Sequence, residues 1–180
     1  MNREFKVIVT VMLMLLSSLT LAASEGEKQV RAMFVYNFAN FVEWPKKAFS
    51  RANSPLQVCL LGDVPFADYL QPMSGTLIGD RELLVSITEN EKNFKGRCHI
   101  LFVGDDQKVI MKKLYRSKKY VYILSVSEQE GFIESGGIVN IIDQSQKISF
   151  DIDLDNAKSR GLFISSDLLS LARNIKRLSE

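Results

Sequence analysis

The sequence predicts an α/β fold: a Rossmann-like three-layer sandwich whose mainly parallel sheet of about six strands carries an antiparallel hairpin at one edge. Three observations carry this reading. Short apolar runs alternate with helix-length segments along the chain, and strands that alternate with helices pair in parallel. The runs Leu56 to Leu61 and His99 to Val103 are apolar almost throughout, as strands covered on both faces are. Lys147 to Leu154 instead alternates strictly between polar and apolar residues and follows another strand-like run, which marks a half-exposed hairpin strand near an edge.

Residues Met1 to Ala23 stand apart from the fold. Arg3 and Lys6 form a basic start, Val7 to Leu16 is apolar except for Thr10, and small residues lead to Leu21-Ala22-Ala23-Ser24. A basic start, a ~10-residue apolar core and a small-residue exit make a secretory signal peptide, cut after Ala22 or Ala23. The apolar run is shorter than the ~20 residues a membrane-spanning helix needs. Residues 24–180 then form one domain of about 157 residues, enough to bury roughly 70% of its unfolded surface. Loss of Arg3, Glu4 and Lys6 lowers the formal net charge from +2 to +1.

The elements follow in order. A first helix runs from Glu25 to about Val42, and Pro45 stops it. Met33, Phe34, Val35, Tyr36, Phe38, Ala39, Phe41 and Val42 cover nearly all of its sides, so the helix must be buried or pair with another surface. Phe38, Phe41 and Trp44 are its candidate interface anchors, with core burial as the alternative. A strand at Leu56 to Leu61 precedes a short helix at Pro65 to Gln71, where Pro65 suits a first helical position. Strands follow at Glu82 to Thr88, His99 to Val103 and Tyr120 to Val126, with a helix at Asp106 to Ser117 before the last. Ser127 to Ser135 reads as a short helix or turn closed by Gly136-Gly137. Ile138 to Ile142 and Lys147 to Leu154 pair across Asp143-Gln144-Ser145-Gln146. A C-terminal helix starts at Ser165 or Ser166, either a good N-cap, and carries an apolar stripe through Ile175 to Leu178.

Composition removes several functions. Near-balanced charge is unlike a dedicated nucleic-acid binder. One His and two Cys make neither a zinc finger nor a catalytic set built on several histidines. Leu61-Gly62-Asp63-Val64-Pro65 has one glycine where a dinucleotide or phosphate loop needs several. Asp151, Asp153 and Asp155 resemble the start of a calcium loop, but Asn156 and Leu162 occupy the positions that need Gly and Glu. No Gly-x-Ser-x-Gly elbow is present. Lys108, Lys112, Lys113, Arg116, Lys118 and Lys119 follow Asp105 and Asp106, which complements a helix dipole. No cofactor, metal or catalytic residue is expected. Export favours bridging Cys59 to Cys98, with two buried free thiols as the alternative.

Several motifs, in order, resemble the YfiR family of periplasmic proteins. They are Ala32-Met-Phe-Val-Tyr-Asn-Phe-Ala-Asn-Phe-Val-Glu-Trp-Pro45, Val58-Cys-Leu-Leu-Gly-Asp63, Cys98-His-Ile-Leu-Phe-Val103, Gly131-Phe-Ile-Glu-Ser-Gly-Gly-Ile-Val139, Ile148-Ser-Phe-Asp-Ile-Asp153 and Gly161-Leu-Phe-Ile-Ser-Ser-Asp-Leu-Leu-Ser-Leu-Ala172. The resemblance implies a non-catalytic periplasmic repressor, dimeric, that binds the periplasmic sensor domain of an inner-membrane diguanylate cyclase. Its action would lower cyclic di-GMP and biofilm formation. It implies that Cys59 and Cys98 match a family disulfide. It places the partner-binding residues at Glu134, Asp151, Asp153, Lys158 and Arg160. The family strand usually ends Phe-Glu-Ile-Asn, whereas this chain reads Phe150-Asp151-Ile152-Asp153. The second Cys pair that some members carry near the Gly-Gly turn is absent. The alternative function is a periplasmic sensor module that binds a small molecule or cell-wall fragment.

Overall fold

The computed structural model describes residues 25–90, 93–94, 97–107, 121–144 and 147–177. The expected signal peptide, most of the helix expected at Asp106 to Ser117 and the basic cluster from Lys108 to Lys119 lie outside them. Helix α1 covers residues 25–41 and leads into the short strand β1, Val42–Glu43. The main-sheet strands are β2 (Leu56–Leu61), β3 (Leu77–Ile78), β4 (Arg81–Thr88), β5 (Ile100–Val103), β6 (Leu124–Ser127), β7 (Val139–Gln144), β8 (Lys147–Asp153) and β10 (Asn174–Lys176). Helix α2 (Ala67–Leu70) lies between β2 and β3, and α3 (Leu154–Ser159) follows β8 directly. Strand β9 (Phe163–Ile164) pairs antiparallel with β1 in a separate two-stranded sheet, ahead of α4 (Ser166–Leu171).

The eight strands lie in the order β10-β8-β7-β6-β5-β2-β4-β3. From β7 to β4 the neighbours are parallel. The α/β class holds, but two features of the expected sheet are corrected. It has eight strands among the described residues, because β3 and β10 are too short to leave a periodic signal. The hairpin β7–β8 is antiparallel as expected but is not the edge, since β10 adds outside β8 in parallel.

The central strands bury both faces. Ile100 and Phe102 join one core with Val58, Leu60, Leu124 and Val126, while Leu101 and Val103 join a second with Cys59, Leu61 and Phe132. Alternate residues of a strand point to opposite faces, so a continuous apolar run needs cover on both. Helices α1 to α4 all contribute to the first core, through Ala32, Val35 and Phe38, Leu70, Leu154 and Ala157, and Leu168 respectively. In α1 the inward residues Ala32, Val35, Phe38 and Ala39 follow helical spacing, whereas Val30 and Met33 are exposed.

The expected C-terminal helix is much shorter than its apolar pattern. Ser165 caps α4, its hydroxyl accepting from Leu168 N at 3.2 Å. The helix stops at Leu171, and Ala172 is extended. Ile175 fits a helical stripe equally well as a strand position, but Arg173 pairs with Asp151 and draws the chain onto the edge of β8.

Candidate functional site

The order in which the parallel strands are added to the sheet reverses between β2 and β5. In an open α/β sheet the crevice at that point, beyond the strand ends, usually receives the ligand. Here it is closed. Gly62 (φ 81°) follows β2 and Gly104 follows β5; a Cβ on the first would meet the Asp106 carboxylate, and on the second the Asp63 carbonyl. Asp106 accepts from Asp63 N at 2.9 Å and from Gln107 Nε2 at 2.7 Å. These bonds, Gln107's first, hold its carboxyl below the usual range. The Asp106 carboxylate thus takes up the Asp63 amide beyond β2, and the lone glycine makes a tight turn. Among the described residues no group of three or more His, Cys, Asp or Glu is arranged to hold a metal ion.

The opposite end of the sheet is aromatic. His99, just before β5, is 7% exposed. Its Nδ1 accepts from Gln57 N at 2.9 Å, so the proton of the neutral ring lies on Nε2. Phe49 stacks on the imidazole at 4.4 Å between centroids, Trp44 meets it edge-on at 6.0 Å, and Arg81 lies 3.6 Å over the Phe49 ring. Burial drives the His99 pKa down to about 4; the Ala48 carbonyl opposes this and the Arg81 charge adds to it. Trp44 Nε1 donates to the Tyr122 carbonyl at 3.0 Å, and Tyr122 N donates to the Arg160 carbonyl at 3.0 Å. Tyr122 has φ 65°, a conformation costly for an aromatic residue. Its ring packs against Gly161, where a Cβ would come within 2.7 Å.

Cys59 and Cys98 are bonded, with Cα atoms 5.8 Å apart. Cys59 lies in β2 and Cys98 just ahead of the neighbouring strand β5, where His99 N donates to the Gln57 carbonyl. The bridge therefore ties two strands already joined by a ladder.

The expected partner residues occupy three settings. Asp151 faces β10 and takes a two-pronged ion pair from Arg173, Nε–Oδ1 2.9 Å and Nη2–Oδ2 2.7 Å, with Asn174 Nδ2 at 3.3 Å. Arg173 foremost holds the Asp151 carboxyl below its ordinary range. Asp153 is buried; Oδ1 caps α3 through Asn156 N at 2.8 Å, and Oδ2 pairs with Lys176 at 3.0 Å. The polar face of β8, expected to be open, is thus covered at these carboxylates by cations of the C-terminal segment. Glu134 and Lys158 are exposed, the first in the turn before Gly136 and the second on α3. Asn156 Nδ2 joins these elements by donating to the Gly136 carbonyl at 2.6 Å. Gly137 packs so closely on the Phe132 ring that a Cβ would overlap it. Arg160 is half-buried at the end of α3.

Among the aromatic anchors, Phe38 is fully buried and packs edge-on to Phe150 at 5.4 Å. Phe41 and Trp44 are half-buried. Two further residues escaped the sequence reading. Arg31, 14% exposed, pairs with Glu128 at 2.7 Å, Asp143 at 2.5 Å and Glu27 at 3.6 Å, tying α1 to the ends of β6 and β7. Phe163 is 64% exposed, flanked by buried Leu162 and Ile164; all three residues are apolar, so the sequence held no signal for which one faces outward.

Two comparisons place these features among known proteins. The YfiR/HmsC-like family model matches residues 28–173. A solved structure, a conserved domain protein from Vibrio cholerae O1 biovar El Tor str. N16961, is similar at 8% identity and a TM-score of 0.49. The match covers 67% of this chain, and this chain spans about half (54%) of the length of that one. The family match includes the buried face of α1, both bridged cysteines, the Gly-Gly turn and the β8 carboxylates, and on that extent the chain belongs to the YfiR/HmsC-like family.

Proposed function

We propose that the chain is a periplasmic, non-catalytic regulator that binds the periplasmic sensor domain of an inner-membrane diguanylate cyclase and represses it. The observation that carries this reading is the family match over residues 28–173. No helix of the described residues is long and apolar enough to cross a membrane, which accords with a protein that meets its partner outside the bilayer. A homodimer is the proposed form. The exposed Glu134 and Lys158, with Arg160, Phe41 and Trp44, are the proposed contact residues.

Repression requires tighter binding to the inactive state of the cyclase than to the active one, since a ligand shifts an equilibrium only by its differential affinity. Deleting the gene should raise cellular cyclic di-GMP, and an exported copy should restore the lower level. An unchanged level in cells that make the cyclase overturns the proposal. A solute-binding sensor would instead show a ligand-dependent thermal shift and no cyclase in co-purification.

A further inference from the structure

We infer that β10 is a displaceable edge strand, and that the β8 edge beneath it is a docking site for an extended basic segment of a partner protein. Strand β10 covers only Asp151–Asp153 of the seven-residue β8. Beyond the bond from Arg173 N to the Phe150 carbonyl, no strand among the described residues pairs with the outer edge of Lys147–Ser149. An exposed row of backbone donors and acceptors is a template for another chain. A segment laid along all of β8 would form a longer ladder than β10 does.

The hold on β10 is mostly ionic. Asn174 and Lys176 are exposed, and Ile175 is the half-buried apolar contact of the strand. Arg173 and Lys176 pair with Asp151 and Asp153 from side chains that are 36% and 50% exposed. Ion pairs so exposed add little to stability. Asp153, however, is 8% exposed at its side chain, and a buried carboxylate stripped of its cation is costly. Whatever replaces β10 must therefore bring cations of its own, which sets the charge of the occupant.

A groove of about 540 Å³ runs beside the uncovered part of β8, walled by Phe34, Ile148, Phe150 and Leu171. Because β10 runs parallel to β8, a replacement strand would pass this groove before it reached the carboxylates. The matching occupant has apolar side chains first, then two cations three residues apart, the spacing of Arg173 and Lys176. The proposal extends the regulator reading by naming the partner's binding element, and its test contains no cyclase, so the two fail separately.

The test uses the full chain and a labelled synthetic peptide with the sequence Leu168–Arg177. The peptide should bind the native protein weakly and the Ile175→Asp variant at least tenfold more tightly. A peptide with Glu in place of Arg173 and Lys176 should bind at least tenfold more weakly than the parent. Equal binding of both peptides, or no gain in Ile175→Asp, overturns the inference. Hydrogen exchange on the native chain tests it without any variant. The β10 amides should exchange at least tenfold faster than those of β6, and equal protection overturns it.

Discussion

His99 makes the folded state sensitive to acid. It is the one histidine in the sequence, and burial holds its folded pKa at about 4 against an ordinary value of 6.5. Between those values the unfolded chain binds a proton at this site that the folded chain does not. Stability therefore falls as pH drops through that window and the loss levels off below it. The difference in pKa corresponds to about 3 kcal/mol lost by pH 4. The perturbation is His99→Asn, which keeps an acceptor for Gln57 N and removes the titration. Urea unfolding of both proteins at pH 7, 5.5 and 4.5 isolates the effect, because carboxylates contribute to both curves alike. The native chain should lose about 2 kcal/mol more than the variant between pH 7 and 4.5. NMR titration of the single imidazole measures the same quantity directly. A midpoint near 6.5, or parallel pH dependence in the two proteins, refutes the reasoning.

Three further outcomes follow from the packing. Reduction of Cys59–Cys98, or their paired replacement by Ser, opens a link spanning 39 residues; the chain-entropy model gives about 4 kcal/mol, and calorimetry should show a melting temperature lowered by roughly 10 °C. Phe38→Ala empties a fully buried site against Phe34 and Phe150, so chemical denaturation should show a loss of about 3–5 kcal/mol. Gly161→Ala meets both a φ of +72° and the Tyr122 ring; a loss of about 1–3 kcal/mol is expected, and the same variant should alter Trp44 fluorescence because Trp44 bonds to Tyr122.

The sequence carried the sheet interior plainly. Strand β5 is an unbroken apolar run and β2 is interrupted only by Gln57, because both faces are covered, and no helix-forming period competes with them. The cysteines were legible for a related reason: strand-like surroundings and export together favour a bridge. The C-terminal region was not legible. Leu168, Leu171, Ile175 and Leu178 repeat with helical spacing, and nothing local reveals that Arg173 finds Asp151 across 22 residues. The same blind spot made Asp151 and Asp153 look like an open acidic face, because strand alternation shows direction and not what stands opposite. Phe38 illustrates the limit for α1. A helix apolar on all sides has two candidate interiors, and only the packed structure selects the face through Ala32, Val35 and Phe38. The aromatic group around His99 joins residues from four parts of the chain, so no spacing could have announced it.

The central claim is repression through direct contact, and a purified system tests it most directly. The purified protein would be added to a detergent-solubilised, full-length diguanylate cyclase to which it binds, and cyclic di-GMP formation followed. Synthesis should fall with added protein and saturate once each sensor domain is occupied, and heat-unfolded protein should have no effect. Undiminished synthesis at a saturating excess, with binding shown in the same sample, contradicts repression.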